Sequence, residues 1–114
     1  MEDSMQQEIQ PIVVYTSCDD KDVCARIARF VLEKRLAACV QLTAPMTSFY
    51  WWKDDIARDE EYLLALKSHR HLFDQLAAAI RSIHPYEVPE IIATEIIEID
   101  SGYAAWMREE LSHG

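Results

Sequence analysis

The chain has 114 residues, half of them hydrophobic, with 20 acidic against 11 basic side chains and a net charge of -9. That is enough sequence for one domain with a real core and no staples. The acidic excess repels phosphate backbones and anionic lipid surfaces, and no apolar run approaches the roughly 20 residues that span a bilayer, so neither nucleic acid nor membrane is an expected partner.

Residues 1–10 are polar and acidic, without the basic start and apolar centre of a targeting peptide, and read as a disordered tail ahead of a single domain over 11–114. Cys18, Cys24 and Cys39 are an odd number at a spacing that matches no zinc pattern, which fits reduced thiols in a cytoplasmic protein. Ile12 to Thr16 is a β-branched and aromatic run without alternation, predicting a strand buried on both faces. Ser17, Asp19 and Asp20 can then cap a helix with Val23, Ile27, Phe30 and Val31 at helical spacing, ending near Arg35.

From Leu36 the period becomes two, with Ala38, Val40 and Leu42 on one face and Cys39, Gln41 and Thr43 on the other. Pro45 cannot donate to a ladder, so a bulge or edge is expected before pairing resumes through Ser48 to Trp52. Lys53-Asp54-Asp55 supplies a turn, and Ile56 to Lys67 returns as a long strand with Tyr62, Leu64 and Leu66 opposite Glu61, Leu63, Ala65 and Lys67. Ser68 can cap a second helix, whose stripe of Leu72, Phe73, Leu76, Ala77, Ile80 and Ile83 stops at His84-Pro85. Ile91 to Ile97 reads as a last strand, and Ser101 opens a final helix carrying Tyr103, Trp106, Met107 and Leu111 on one side.

Strand, helix, strand thus occurs twice, once over 12–43 and again from about 60 to 97. Two such units joined by a hairpin predict an α+β fold, the ferredoxin-like split βαβ sandwich, with a long antiparallel hairpin and a C-terminal helix. Both helices then cover one sheet face. The other carries more apolar residues than an open face needs, and oligomerisation is the simple cover.

The densest chemistry is His84-Pro85-Tyr86-Glu87-Val88-Pro89-Glu90. Each proline drives its predecessor away from helix, so the segment is a stiff bend. Two readings fit it: a rigid loop that carries a site, or a structural corner in which Tyr86 packs and His84 caps the helix.

Leu36-Ala37-Ala38-Cys39-Val40, Ser48-Phe49-Tyr50-Trp51-Trp52, Glu61 with Lys67, the segment from His84 to Glu90, and Tyr103 with Trp106 resemble the CutA divalent-cation-tolerance family, in order and separation. The resemblance implies a homotrimer built like the PII signalling proteins, linked to copper and other divalent metals and without an established catalytic activity. Vertebrate relatives are also associated with anchoring of acetylcholinesterase. Asp54-Asp55 stands where the family often has Gly-Lys, which changes the charge and geometry of the hairpin turn. Thr16 and Ile83 occupy places where some relatives carry a proposed copper-binding cysteine and a second histidine, so His84 alone carries over.

Three classes of function follow. The first is a trimeric, non-catalytic protein that binds Cu(II) or another divalent cation weakly, through His84, Glu90 and Cys39, whose donor types suit copper. Cys39 between alanine and valine reads first as a small buried hydrophobe, with the metal role second. The second is a ligand-sensing or scaffolding trimer with Trp52, Glu61, Lys67 and Tyr86 lining inter-subunit clefts and only an indirect link to metal. The third, an enzyme, lacks support: there is no phosphate-cradling glycine loop and no nucleophile with its base.

Overall fold

The computed structural model describes residues 10–112. The predicted tail lies outside them apart from Gln10, whose side-chain amide donates to the carbonyls of Pro11 and Ile96. Strands β1 (Pro11–Cys18), β2 (Cys39–Leu42), β3 (Met46–Trp52), β4 (Asp55–His69) and β5 (Ile92–Glu95) alternate with helices α1 (Lys21–Glu33), α2 (Phe73–Ile83) and α3 (Ser101–Glu110). The sheet order is β2-β4-β1-β5, with β3 pairing the far half of β4 and every pairing antiparallel. This is the split βαβ arrangement of an α+β sandwich.

Helices α1 and α2 lie on one face. Cys24, Ile27 and Val31 of α1 and Leu76 and Ile80 of α2 are buried against Ile12, Val14, Leu64 and Leu66 of the sheet. Burial alternates along β1, so the strand expected to be buried on both faces is covered on one: Val13 and Tyr15 are half-buried on the side without α1 and α2. Inside the core Thr16 is fully buried, and its hydroxyl has no hydrogen-bond partner among the described residues.

Asp20 is the residue that caps α1, accepting from the amides of Asp22 and Val23. The chain leaves α1 through Arg35 in the left-handed region at φ 60°, while the Leu36 amide reaches back to the Val31 carbonyl, as in a Schellman ending. An L-residue there costs roughly 1 kcal/mol. Arg35 is held by an ion pair with Glu110 of α3 at 2.7 Å and by the Ser112 amide on its carbonyl.

Ser68 does not cap α2. It is still in β4, fully buried, and donates to the Leu36 carbonyl at 2.6 Å; a 3-10 turn, Arg70–Leu72, starts the helical stretch instead. The last strand is shorter than its apolar run, only Ile92–Glu95, because it forms the sheet edge with all four residues exposed.

Strand β4 has 15 residues, about 50 Å at 3.3–3.4 Å per residue, matching the molecule's 52 Å long axis. Between the pairs Leu42↔Leu64 and Met46↔Glu61, three residues oppose two. The extra residue is the bulge expected at Pro45. The hairpin closes through Lys53 and Asp54, both left-handed, as a two-residue type I′ turn demands.

Candidate functional site

The bulge and the bend together make a cleft. After the bulge, Ser48, Tyr50 and Trp52 of β3 share a face with Asp59 and Glu61 of β4, in register with that strand, and the bend after α2 closes the opposite wall. The cleft has a volume of about 680 Å³ and is lined by Asp19, Asp59, Glu61, Glu87 and Glu90, by the aromatic run of β3 and by Tyr86. No lysine or arginine lines it.

At its base Glu61 is only 5% exposed. The Tyr86 hydroxyl donates to its Oε2 at 2.6 Å, and Oε1 accepts from no described residue. Burial, then the hydrogen bond to Glu61 and that carboxylate's charge, push the Tyr86 phenol far above its ordinary range. Near the mouth Tyr50 donates to Asp59, and this bond first, then desolvation, raises the Tyr50 phenol to about 12.

His84 holds the bend in place. Its Nδ1 accepts from the Tyr86 amide at 3.1 Å, so that nitrogen carries no proton, and Nε2 donates to the Ser17 carbonyl at 2.8 Å. The imidazole is 8% exposed and meets the Tyr86 ring edge-on at 4.7 Å between centroids. Both nitrogens are engaged within the chain, and the prolines flanking Tyr86 limit how far the backbone can give.

The residues singled out from sequence therefore divide. Trp52, Glu61, Tyr86 and Glu90 come together in the cleft, with His84 behind its wall. Cys39 and Lys67 do not join them: they pair with each other across β2 and β4, six residues along β4 from Glu61, or about 20 Å. Lys67 sits over the Tyr103 ring at 5.6 Å. Cys39 is half-buried on the face without α1 and α2. No group of three or more His, Cys, Asp or Glu side chains converges as a metal site among the described residues, so His84, Glu90 and Cys39 do not form one within a single chain.

The first helix hides a second thiol environment. Cys18 and Cys24 are fully buried and free, and the Cys24 thiol points at the Cys18 carbonyl at 3.9 Å. Burial, reinforced by Cys18, pushes Cys24 up to about 12, so the helix N-terminus does not activate it. Sequence reasoning missed Asp19, Asp59 and Tyr50 as cleft residues. The signal for the last two was present in the hairpin, whose two-residue turn sets Ser48 opposite Asp59 and Tyr50 diagonally beside it.

The family model described as CutA1 divalent ion tolerance protein matches residues 12–110. The chain is 39% identical over 97 residues to the divalent-cation tolerance protein CutA of Thermus thermophilus, covering 85% of this chain and 94% of that one. It is 42% identical over 95 residues to protein CutA of Homo sapiens, where 83% of this chain matches 53% of the relative. The chain thus spans about half the length of the human protein. Among solved structures, CutA1 from Oryza sativa superimposes with a TM-score of 0.90 at 32% identity, over 94% of this chain and 98% of that one.

Proposed function

Because this chain belongs to the CutA1 divalent ion tolerance family, we propose that it serves divalent-cation tolerance as a non-catalytic, cytoplasmic homotrimer that holds copper(II) or another divalent cation weakly and exchangeably. The observation that carries this reading is the cleft, with five carboxylates and no basic residue in its lining. Asp19, Glu87 and Glu90 are exposed and offer separate oxygen donors at its rim that do not converge on one point, so within one chain a cation is held only loosely. Carboxylate oxygens are hard ligands with little preference among divalent cations, which suits exchangeable binding. A tighter copper centre using His84 or Cys39 requires donors from more than one copy of the chain.

Trimer formation is supported by the surface left open. Phe49, Trp51 and Ile56 of the hairpin are 67%, 73% and 60% exposed, β3 and β5 are sheet edges, and Val13, Tyr15, Leu63 and Ala65 form a half-covered apolar face. Free edges beside exposed aromatics are what association covers.

Light scattering after size exclusion tests the assembly, and a stable monomer at micromolar concentration refutes it. Calorimetry with CuCl₂ tests the cation: binding is expected to weaken at least tenfold in the triple variant Asp19→Asn, Glu87→Gln, Glu90→Gln. Unchanged affinity there refutes the rim as the cation site. A second reading, a ligand-sensing or scaffolding trimer, is favoured by the aromatic wall and by the buried Glu61, which a purely ionic rim does not need.

A further inference from the structure

We propose that Cys18 and Cys24 form a dithiol redox site, which a small disulfide such as oxidised glutathione converts to an intramolecular bridge between the end of β1 and the start of α1.

Geometry brings the two thiols together. Cys18 is the last residue of β1 and Cys24 lies near the start of α1, two residues before and four after the Asp20 cap. A chain entering a helix packs back on its first turn at about this separation. Both side chains are fully buried in one core cluster. The Cys24 Sγ is 3.9 Å from the Cys18 carbonyl oxygen, and the Cys18 thiol is near enough to push Cys24 upward, second only to burial. The pair lies beneath α1, away from the sheet face and hairpin that association covers, so its geometry is complete within one chain. Cys39 is half-buried on the opposite face of the sheet and does not compete for either partner. Thr16, two residues before Cys18 on the same face of β1, is also fully buried, with a hydroxyl that has no partner among the described residues. This end of the core thus holds polar and reactive atoms where aliphatic side chains would pack, the kind of local departure found at functional sites.

Burial keeps both thiols out of reach in the closed fold and Cys24 protonated, so reaction goes through opening of the first turn of α1. That turn is held by the Asp20 carboxylate on the amides of Asp22 and Val23 and by the Asp20 carbonyl on the Cys24 amide, and helix ends open at far lower free energy than the whole fold. In the open turn the Cys24 thiol gives its proton to water, and the thiolate attacks one sulfur of the small disulfide. The S–S bond breaks, and one small thiol leaves with the electron pair and takes up a proton. The Cys18 thiolate then attacks the Cys24 sulfur and expels the second small thiol. Two protein thiols are oxidised by two electrons in all, and one small disulfide is reduced to two thiols. The bridge closes residues 18–24 into a loop containing Asp19, which lines the acidic cleft, next to Ser17, whose carbonyl holds His84. Oxidation therefore fixes the strand-to-helix corner on which that wall of the cleft stands.

The test incubates the full chain, reduced and held in EDTA at pH 7.5, with glutathione buffers of increasing oxidised fraction, then alkylates free thiols and maps tryptic peptides by mass. Trypsin cuts after Lys21, between the two cysteines, so the bridge joins two peptides and is read directly. Cys18 and Cys24 are expected to bridge while Cys39 is alkylated or carries glutathione alone, and dithiothreitol restores both thiols. Cys18→Ser should halt the reaction at a mixed disulfide on Cys24. Asp20→Ala should speed bridging severalfold, the factor that one lost cap adds to opening of the turn; sub-denaturing urea serves the same purpose if that variant is unstable. A pair that stays reduced until the chain is fully denatured, or that bridges to Cys39 instead, overturns the proposal. Equal rates in wild type and folded Asp20→Ala overturn the route through the first turn.

Discussion

His84→Ala separates a structural corner from an open metal ligand. In the native chain the imidazole joins the Ser17 carbonyl at 2.8 Å to the Tyr86 amide at 3.1 Å across 67 residues of sequence, and it is 8% exposed. Alanine leaves a carbonyl and an amide without their partner and opens a space beside the Tyr86 ring. Each buried group so orphaned costs about 1–3 kcal/mol, less if water enters the gap. A loss of about 2–4 kcal/mol is therefore expected. At roughly 4 °C per kcal/mol for a chain of this size, the melting temperature should fall by about 8–16 °C. Because association and folding are linked in an oligomer, wild type and variant are melted at the same protein concentration, by circular dichroism. Copper titrated into the folded variant should show affinity within about threefold of wild type. A melting temperature within 2 °C of wild type, together with a tenfold loss of copper affinity, would refute the corner and make His84 a ligand.

The core makes its own predictions. Thr16→Val replaces a buried hydroxyl that has no partner among the described residues with an isosteric methyl and should stabilise the protein by about 1 kcal/mol; chemical denaturation showing destabilisation would mean that the hydroxyl is satisfied. Asp20→Ala removes the cap on two α1 amides and should cost about 1 kcal/mol by the same assay. The alkaline limb of stability follows from the raised groups. Cys24 stands above its ordinary 9.0 and Tyr86 above its ordinary 10.0, so the folded state retains protons that the unfolded chain releases. Stability from these groups is complete below about pH 9 and falls as pH rises beyond it. Denaturation series from pH 8 to 11 should show that decline, and Tyr86→Phe should flatten it above pH 10; a flat wild-type profile would contradict the burial of both groups.

Much of this fold was legible before any coordinates. The 3.6-residue period of Ile27, Val31, Leu76 and Ile80, the two-residue period of Leu64 and Leu66, and the prolines and turn residues between them act through neighbours in sequence, and sequence records those neighbours directly. Even the bulge at Pro45 follows from one missing amide. What tertiary structure alone decided is where long-range partners lie. Ser68 carries a capping residue's chemistry but spends its hydroxyl on a carbonyl 32 residues away. Glu61 and Lys67 share a face of one strand, yet six residues of β4 hold them about 20 Å apart, one beneath Tyr86 and the other over Tyr103. The histidine that looked available as a ligand has both nitrogens turned inward. Period and polarity determine which residues are buried and in which element. Which oxygen or nitrogen each polar group meets depends on crossovers, register and the twist of a long hairpin, none of which is written in any local window of the chain.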